Sequence, residues 1–298
     1  MRSLATAGLA VLAWFACTAC NASIGVGGGA DAPIGDDDDG GPPPPDTTPP
    51  LGPWGTPTKI ASASDPARAE DDGTLSYSGL ELVFAVVDPN DANRKDLFYA
   101  SRPDLQSDFG AATKLPFSAL GTSEETPRFS PDDLSLFFAK TNGTNGLDVF
   151  QVTRPTALSQ MWGTPTAVAG VNSTQTDKWF MPCGASYLMI VGADIAEGTM
   201  GNPPTIVAEL SSASSETGTF LTQDCLTTYF ASTRDAGINK IFTASRTSVA
   251  APWTTPTAIV DFNALGGRQQ DPFIANDNRT FVFVSDVAGT NDIYISTR

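Results

Sequence analysis

No histidine occurs among the 298 residues. That excludes a Ser-His-Asp or Cys-His nucleophile, a histidine-ligated zinc and an imidazole general base, and leaves carboxylate, hydroxyl and amine for any chemistry. Basic residues are scarce as well: 17 Lys and Arg stand against 33 Asp and Glu, for a formal net charge of −16. Nucleic-acid binding needs a basic face that releases the counterions of the phosphates, so the charge argues against a nucleic-acid partner. There are four cysteines, and no stretch with sustained helical periodicity. The most apolar stretch, Leu4 to Ala16, falls short of the roughly 20 residues that a membrane-spanning helix requires.

What is present divides into three segments. Residues 1–20 (MRSLATAGLAVLAWFACTAC) hold one Arg, then the apolar run, then small residues, the pattern of an export signal. From Asn21 to Pro50 come GVGGG, four consecutive Asp (Asp36 to Asp39), Gly40-Gly41 and the prolines Pro42 to Pro45. Low hydrophobicity with like charge predicts a disordered, partly extended tether there. The Asp run reads as solvated charge or, less simply, as a calcium site.

Residues 51–298 carry an internal repeat. PRFSPDDLSLFF (Pro127 to Phe138) aligns with GTLSYSGLELVF (from Gly73), KWFMPCGASYLM (from Lys178), TFLTQDCLTTYF (from Thr219) and PFIANDNRTFVF (from Pro272). Their last residues, Phe84, Phe138, Met189, Phe230 and Phe283, are 54, 51, 41 and 53 positions apart. After each comes a second segment, DLFYASR, DVFQVTR, DIAEG, KIFTASR or DIYISTR, and then, in the first four, a third of the type WGTPTAV or a weaker form of it. All are short, rich in β-branched and aromatic residues, and separated by Gly, Asn, Asp and Pro. Four strands in about 50 residues, repeated five times, predict an all-β, five-bladed β-propeller of four-stranded antiparallel blades. The fifth unit lacks its WxTPT strand, and WGTPTKI (Trp54 to Ile60) stands unpaired ahead of the first. The ring is therefore expected to close by the N-terminal strand joining the last blade.

Two family resemblances follow from these residues. The closing CTAC of the signal resembles a bacterial lipoprotein signal, which implies export, lipidation of Cys20 and anchoring to the outer membrane or cell surface; a plain secretory signal is the alternative. The S-P-D-x turn followed by an apolar run and D-I-Y resembles the TolB-type, WD-like propeller repeat of bacterial envelope proteins over residues 54–298. The resemblance implies a fold, and propellers host binding scaffolds and enzymes alike.

Candidate functional residues come from the repeat. One acid precedes each inner strand, Asp71, Glu125, Asp177, Glu216 and Asp271. They are expected either to ring the channel mouth as a cation or cationic-ligand site or to bond local backbone. On the opposite face Asp132, Asp224 and Asp277 lie in the turns of blades that end their third strands with Arg154, Arg246 and Arg298. Ion pairs within each blade are expected, with an Arg cluster for anions as the alternative. Cys183 and Cys225 occupy nearly the same turn in adjacent blades, and outside the cytoplasm a disulfide is expected there rather than two thiols. The loops Val86–Lys95 and Ala139–Gly146, rich in Asp, Asn and Gly, suit plain turns or a calcium ion held by Asp88, Asn90 and Asp91. No cofactor is otherwise expected. The sequence thus predicts a monomeric, non-catalytic envelope lipoprotein that binds a protein, peptide or glycan. The alternative is an arabinanase-like, glycan-cleaving hydrolase that uses channel carboxylates as acid and base.

Overall fold

The computed structural model describes residues 50–298 apart from 119–120, 144–145 and 236. Cys20 and the Asp36–Asp39 run lie outside the described residues.

Five four-stranded antiparallel sheets follow one another along the chain. Their inner strands are Glu70–Leu75, Glu124–Phe129, Asp177–Cys183, Glu216–Leu221 and Gln269–Ile274. Each packs beside the next and the fifth beside the first, so the sheets form a closed ring of blades. The predicted closure is present: Thr58–Lys59 is the outer strand of blade five, with Thr58 opposite Ile295 and Lys59 opposite Tyr294. Gly55 N donates to Thr297 O at 2.8 Å and Ser296 Oγ to Gly55 O at 2.7 Å, which extends the seam beyond the paired residues.

Burial explains why successive positions of the second strands are apolar. Phe281, Val282, Phe283 and Val284 are all 0% exposed, since a blade between two neighbours is covered on both faces. Aromatic side chains fill the wedges between blades: Phe137 meets Phe180 at 5.1 Å between blades two and three, and Phe220 meets Phe273 at 4.8 Å between blades four and five. The S-P-D-D segment forms the turn from first to second strand. Asp133 N donates to Ser130 O at 2.9 Å, Asp132 Oδ1 accepts from Leu134 N at 3.0 Å, and Asp133 takes the left-handed φ of +58°. Gly79, Gly184, Cys225 and Asn278 stand at the same turn position, also with positive φ. Cys183 and Cys225 are joined in the predicted disulfide between blades three and four, with a Cα–Cα distance of 5.9 Å.

Candidate functional site in the central channel

Every inner strand bulges by one residue after its second position, where the register against the neighbouring strand shifts. The inserted residues are Asp72, Thr126, Trp179, Gly218 and Asp271, all with φ between +48° and +61°. A bulge re-aims the side chains around it, so three neighbouring positions serve three different ends.

The first position holds Glu70, Glu124, Asp177, Glu216 and Gln269, all buried. These groups mostly fasten the loop that enters their strand. Asp177 accepts from Ser173 N at 2.6 Å and Ser173 Oγ at 3.1 Å, and Glu216 accepts from Ser212 Oγ at 2.6 Å, Ser232 Oγ at 3.0 Å and Arg234 at 3.0 Å. The second position holds Asp71, Glu125, Lys178, Thr217 and Gln270, and the third the bulged residues.

The five acids therefore do not form one ring, and the two alternatives expected for them divide among the blades. Asp71 and Glu125 belong to the second position, Asp271 to the third, and Asp177 and Glu216 to the first, where local backbone and hydroxyls engage them. In the sequence these acids stand at offsets from the repeat that differ by up to two residues, and the bulge makes one residue of offset the difference between facing the channel and fastening a loop.

Asp71, Glu125 and Asp271 do converge, joined by residues the sequence reading did not single out. Lys95 Nζ, from the third strand of blade one, lies 2.8 Å from Asp71, 3.2 Å from Asp72 and 3.6 Å from Glu125. Lys178 Nζ lies 3.0 Å from Glu125. Gln270 Nε2 donates to Asp71 at 2.9 Å across the junction of blades five and one. The Trp179 indole N–H donates to Asp72 at 3.1 Å, which carries that side chain from blade three to blade one. Arg128 is fully buried, with its NH1 donating to its own neighbour Pro127 O at 2.9 Å. Gly218 lets blades four and five approach: a Cβ there would meet Asp271 Cα at 2.6 Å, at a φ of +61°.

Four acids (Asp71, Asp72, Glu125, Asp271) thus share a buried space with three bases (Lys95, Lys178, Arg128). Burial pushes Asp271 well above the usual carboxylate range, and the charges of Asp72 and Asp71 push it further. Burial also opposes ionisation of Asp71, but Lys95, a hydrogen bond with Asp271 and the Gln270 amide outweigh it and hold Asp71 below its ordinary value. With Asp271 ionised neither of its oxygens has a donor in reach; a proton on Asp271 makes it the donor and Asp71 the acceptor. Burial also raises Asp72, against the pull of Lys95. Asp71, Asp72 and Asp271 lie within 4.8 Å of one another, close enough to share a cation. The Lys95 ammonium already contacts two of the three.

The predicted ion pairs within blades are also corrected. Asp132, Asp224 and Asp277 accept from the backbone of their own turns, from Leu134 N at 3.0 Å, Leu226 N at 2.9 Å and Arg279 N at 2.7 Å. A short acid in a turn meets these N–H groups before any distant side chain. The arginines bind the turn differently: Nε of Arg102, Arg154, Arg246 and Arg298 donates to the carbonyl of Gly79, Asp133, Cys225 and Asn278 at 2.7–2.9 Å. Each guanidinium also lies over an aromatic ring at the start of an outer segment, Phe109, Trp162, Trp253 and Trp54, at 4.1–4.7 Å. Two arginines then pair with the preceding blade. Arg154 makes a bidentate bridge to Glu81, 2.6 Å on each arm with both side chains 0% exposed, and Arg246 meets Glu197 at 2.8 Å. These links join blade one to two and three to four. In the Val86–Lys95 segment Asp88 accepts from Asn90 N at 2.7 Å and pairs with Arg94, which makes it the turn of a long hairpin.

No family model matches the sequence, and no curated protein matches it. Solved structures share the fold at low identity. The endo-arabinase of Bacteroides thetaiotaomicron is 12% identical with a TM-score of 0.54, covering 82% of this chain and 98% of that one. The catalytic domain of a GH62 α-L-arabinofuranosidase from Coprinopsis cinerea is 13% identical with a TM-score of 0.52, covering 77% and 90%. A TolB-like protein from Agrobacterium tumefaciens is 16% identical with a TM-score of 0.49, covering 77% and 76%. Together with the five blades, the arabinase likenesses define the class as a β-propeller; at these identities they speak to the fold alone.

Proposed function

We propose that the chain is an exported, lipid-anchored propeller that works as a non-catalytic binding scaffold, holding a protein, peptide or glycan of the bacterial envelope at the face where the channel acids lie. The observation that carries this reading is that the channel is crossed, and its acids bridged, by the protein's own side chains. Trp179 reaches Asp72 from two blades away, and Lys95 bridges Asp71, Asp72 and Glu125. A glycosidase needs carboxylates roughly 5–9.5 Å apart with a sugar between them; here three crowd within 4.8 Å, and Asp72 and Asp271 are 0% and 1% exposed. Contact surface remains at the rim, where a cleft of about 450 Å³ between blades four and five is lined by Thr233, Ile238, Asn239, Gly267 and Arg268. The lipid anchor rests on the sequence around Cys20.

The second reading, a glycan-cleaving hydrolase, draws on the Asp71–Asp271 pair, two adjacent carboxyls pushed in opposite directions from their ordinary value, and on the arabinase fold neighbours. Release of reducing ends from arabinan and arabinoxylan separates the two. The scaffold reading expects none, and turnover that Asp271→Asn abolishes would overturn it. For the anchor, incorporation of labelled fatty acid is expected in the wild-type chain and lost in Cys20→Ser; equal labelling of both would refute lipidation.

A further inference from the structure

The first position of the inner strands has one exception to its fastening role. Glu124, Asp177, Glu216 and Gln269 are engaged by hydroxyls, backbone amides or cations of their own blade, its lead-in loop or, for Gln269, Lys240 of the preceding blade. Glu70 is equally buried, at 2% exposure, but only its Oε1 is engaged, by Asp65 N at 3.0 Å. Its Oε2 is buried without a partner. The cause is a change in the facing strand: Lys140, Ser232 and Ser285 stand opposite the first position in blades two, four and five, whereas Val86 stands opposite Glu70. In blade three Val191 faces Asp177, but there Ser173 supplies both bonds.

Glu70 is one of the residues lining a pocket of about 300 Å³ between the N-terminal lead-in and blade one. Phe84, Val86 and Phe98 form an apolar wall of this pocket. On the lead-in side stands Ser62, whose Oγ is likewise buried without a partner. Two buried, unpartnered polar atoms on residues that line one pocket with an apolar wall mark a site for a ligand that brings donors. Of the charged groups at the pocket, Arg68 lies 3.5 Å from Asp65, which leaves Glu70 as the unbalanced charge. Lys59, on the closing strand beside it, is 2.7 Å from Asp292 and thereby committed.

We propose that this pocket binds a small organic ammonium, whose N–H groups bond Glu70 and Ser62 and whose apolar body packs against Phe84, Val86 and Phe98. An ammonium supplies three donors and the charge that a buried carboxylate lacks. The volume is about twice that of an engineered apolar cavity that takes benzene, so a ring with a short amine tail fits. The site is separate from the channel and independent of the scaffold reading. Burial raises the empty Glu70 carboxyl to about 7; an ammonium bound beside it holds it ionised, so binding below that pH releases a proton.

The test is calorimetric titration of the full chain with 2-phenylethylamine and with 2-phenylethanol, its neutral counterpart. One amine is expected per chain, bound about tenfold or more tightly than the alcohol. Glu70→Gln is expected to weaken the amine by about the same factor, while Glu124→Gln, the matching position of blade two, leaves it unchanged. In buffers of different ionisation heat, proton release is expected near pH 6 and absent near pH 9. Equal binding of amine and alcohol by the wild-type chain, no saturable amine binding, or unaltered binding by a folded Glu70→Gln chain would each overturn the proposal. The comparison of probes uses only the wild-type protein, so it decides even if the variant does not fold.

Discussion

Replacing Arg154 by methionine removes the most deeply buried charged link between two blades, and its cost can be built from its contacts. The guanidinium makes a bidentate bridge to Glu81 with both side chains 0% exposed, donates to Asp133 O at 2.7 Å and covers Trp162 at 4.7 Å. Breaking a buried pair from one side strands the other charge and costs about 3–5 kcal/mol. The lost carbonyl bond and ring contact each add on the order of 1 kcal/mol. Because the terms overlap, about 4–6 kcal/mol is expected against a domain stability of about 5–15 kcal/mol. Arg154→Lys keeps the charge but loses the fork, and about 1–2 kcal/mol is expected. The double variant Glu81→Leu/Arg154→Met should recover most of the loss, since an apolar pair of similar volume avoids the stranded carboxylate. Urea unfolding followed by tryptophan fluorescence reads all three. A methionine variant within about 1 kcal/mol of wild type, or a double variant no more stable than the single, would refute the reasoning.

Two further predictions concern how the ring is held. The Cys183–Cys225 bridge spans a sequence separation of 42, and for a loop of that length the chain-entropy model gives about 4 kcal/mol. Cys183→Ser/Cys225→Ser should lower the urea midpoint accordingly, and an unchanged midpoint, or two free thiols in the unreduced wild-type chain, would contradict the bond. Deleting residues 51–61 removes the strand paired with Asp292–Thr297 and the Trp54 ring beneath Arg298. The whole domain should then melt at a lower temperature in one transition; an unaltered melting temperature would mean that the closure contributes nothing.

The fold was legible because the repeat writes each strand five times. LVF, LFF, TYF and FVF mark the same buried strand in four blades, and a stray WGTPTKI at one end matches a missing strand at the other. The disulfide was legible for a related reason, as two cysteines fell in one turn of neighbouring units. The channel was less so. Which of Glu70, Asp71 and Asp72 faces the axis depends on a bulge that no residue type announces, since Asp, Thr, Trp and Gly all occupy it. Its contacts also join distant parts of the chain: Asp72 and Trp179 are 107 residues apart, and Gln270 and Asp71 are 199 apart. The arginines were recognised as part of the repeat but paired with the wrong acids. Glu81 begins its strand and Glu197 lies within its own, neither with a repeated counterpart, and only the packing of one blade on the next brings them to Arg154 and Arg246. Glu70 carried a faint signal, the Val86 that replaces a polar partner, readable only once the register is known.

The central claim is that the channel charges are spent within the fold, with Asp271 holding its proton above the ordinary carboxyl range. Burial raises Asp271 well above its ordinary value, so the folded chain binds this proton more tightly than the unfolded one. Its contribution to stability is therefore intact below the unfolded carboxyl pKa and is lost as pH rises through the folded value. Carboxyl carbon NMR of the full chain, labelled at Asp and titrated across neutral pH, reads the proton directly. A carboxyl that keeps its proton well above the ordinary Asp range and is missing from the Asp271→Asn spectrum is the predicted result. A spectrum in which every channel Asp titrates at or below the ordinary Asp value would contradict the account.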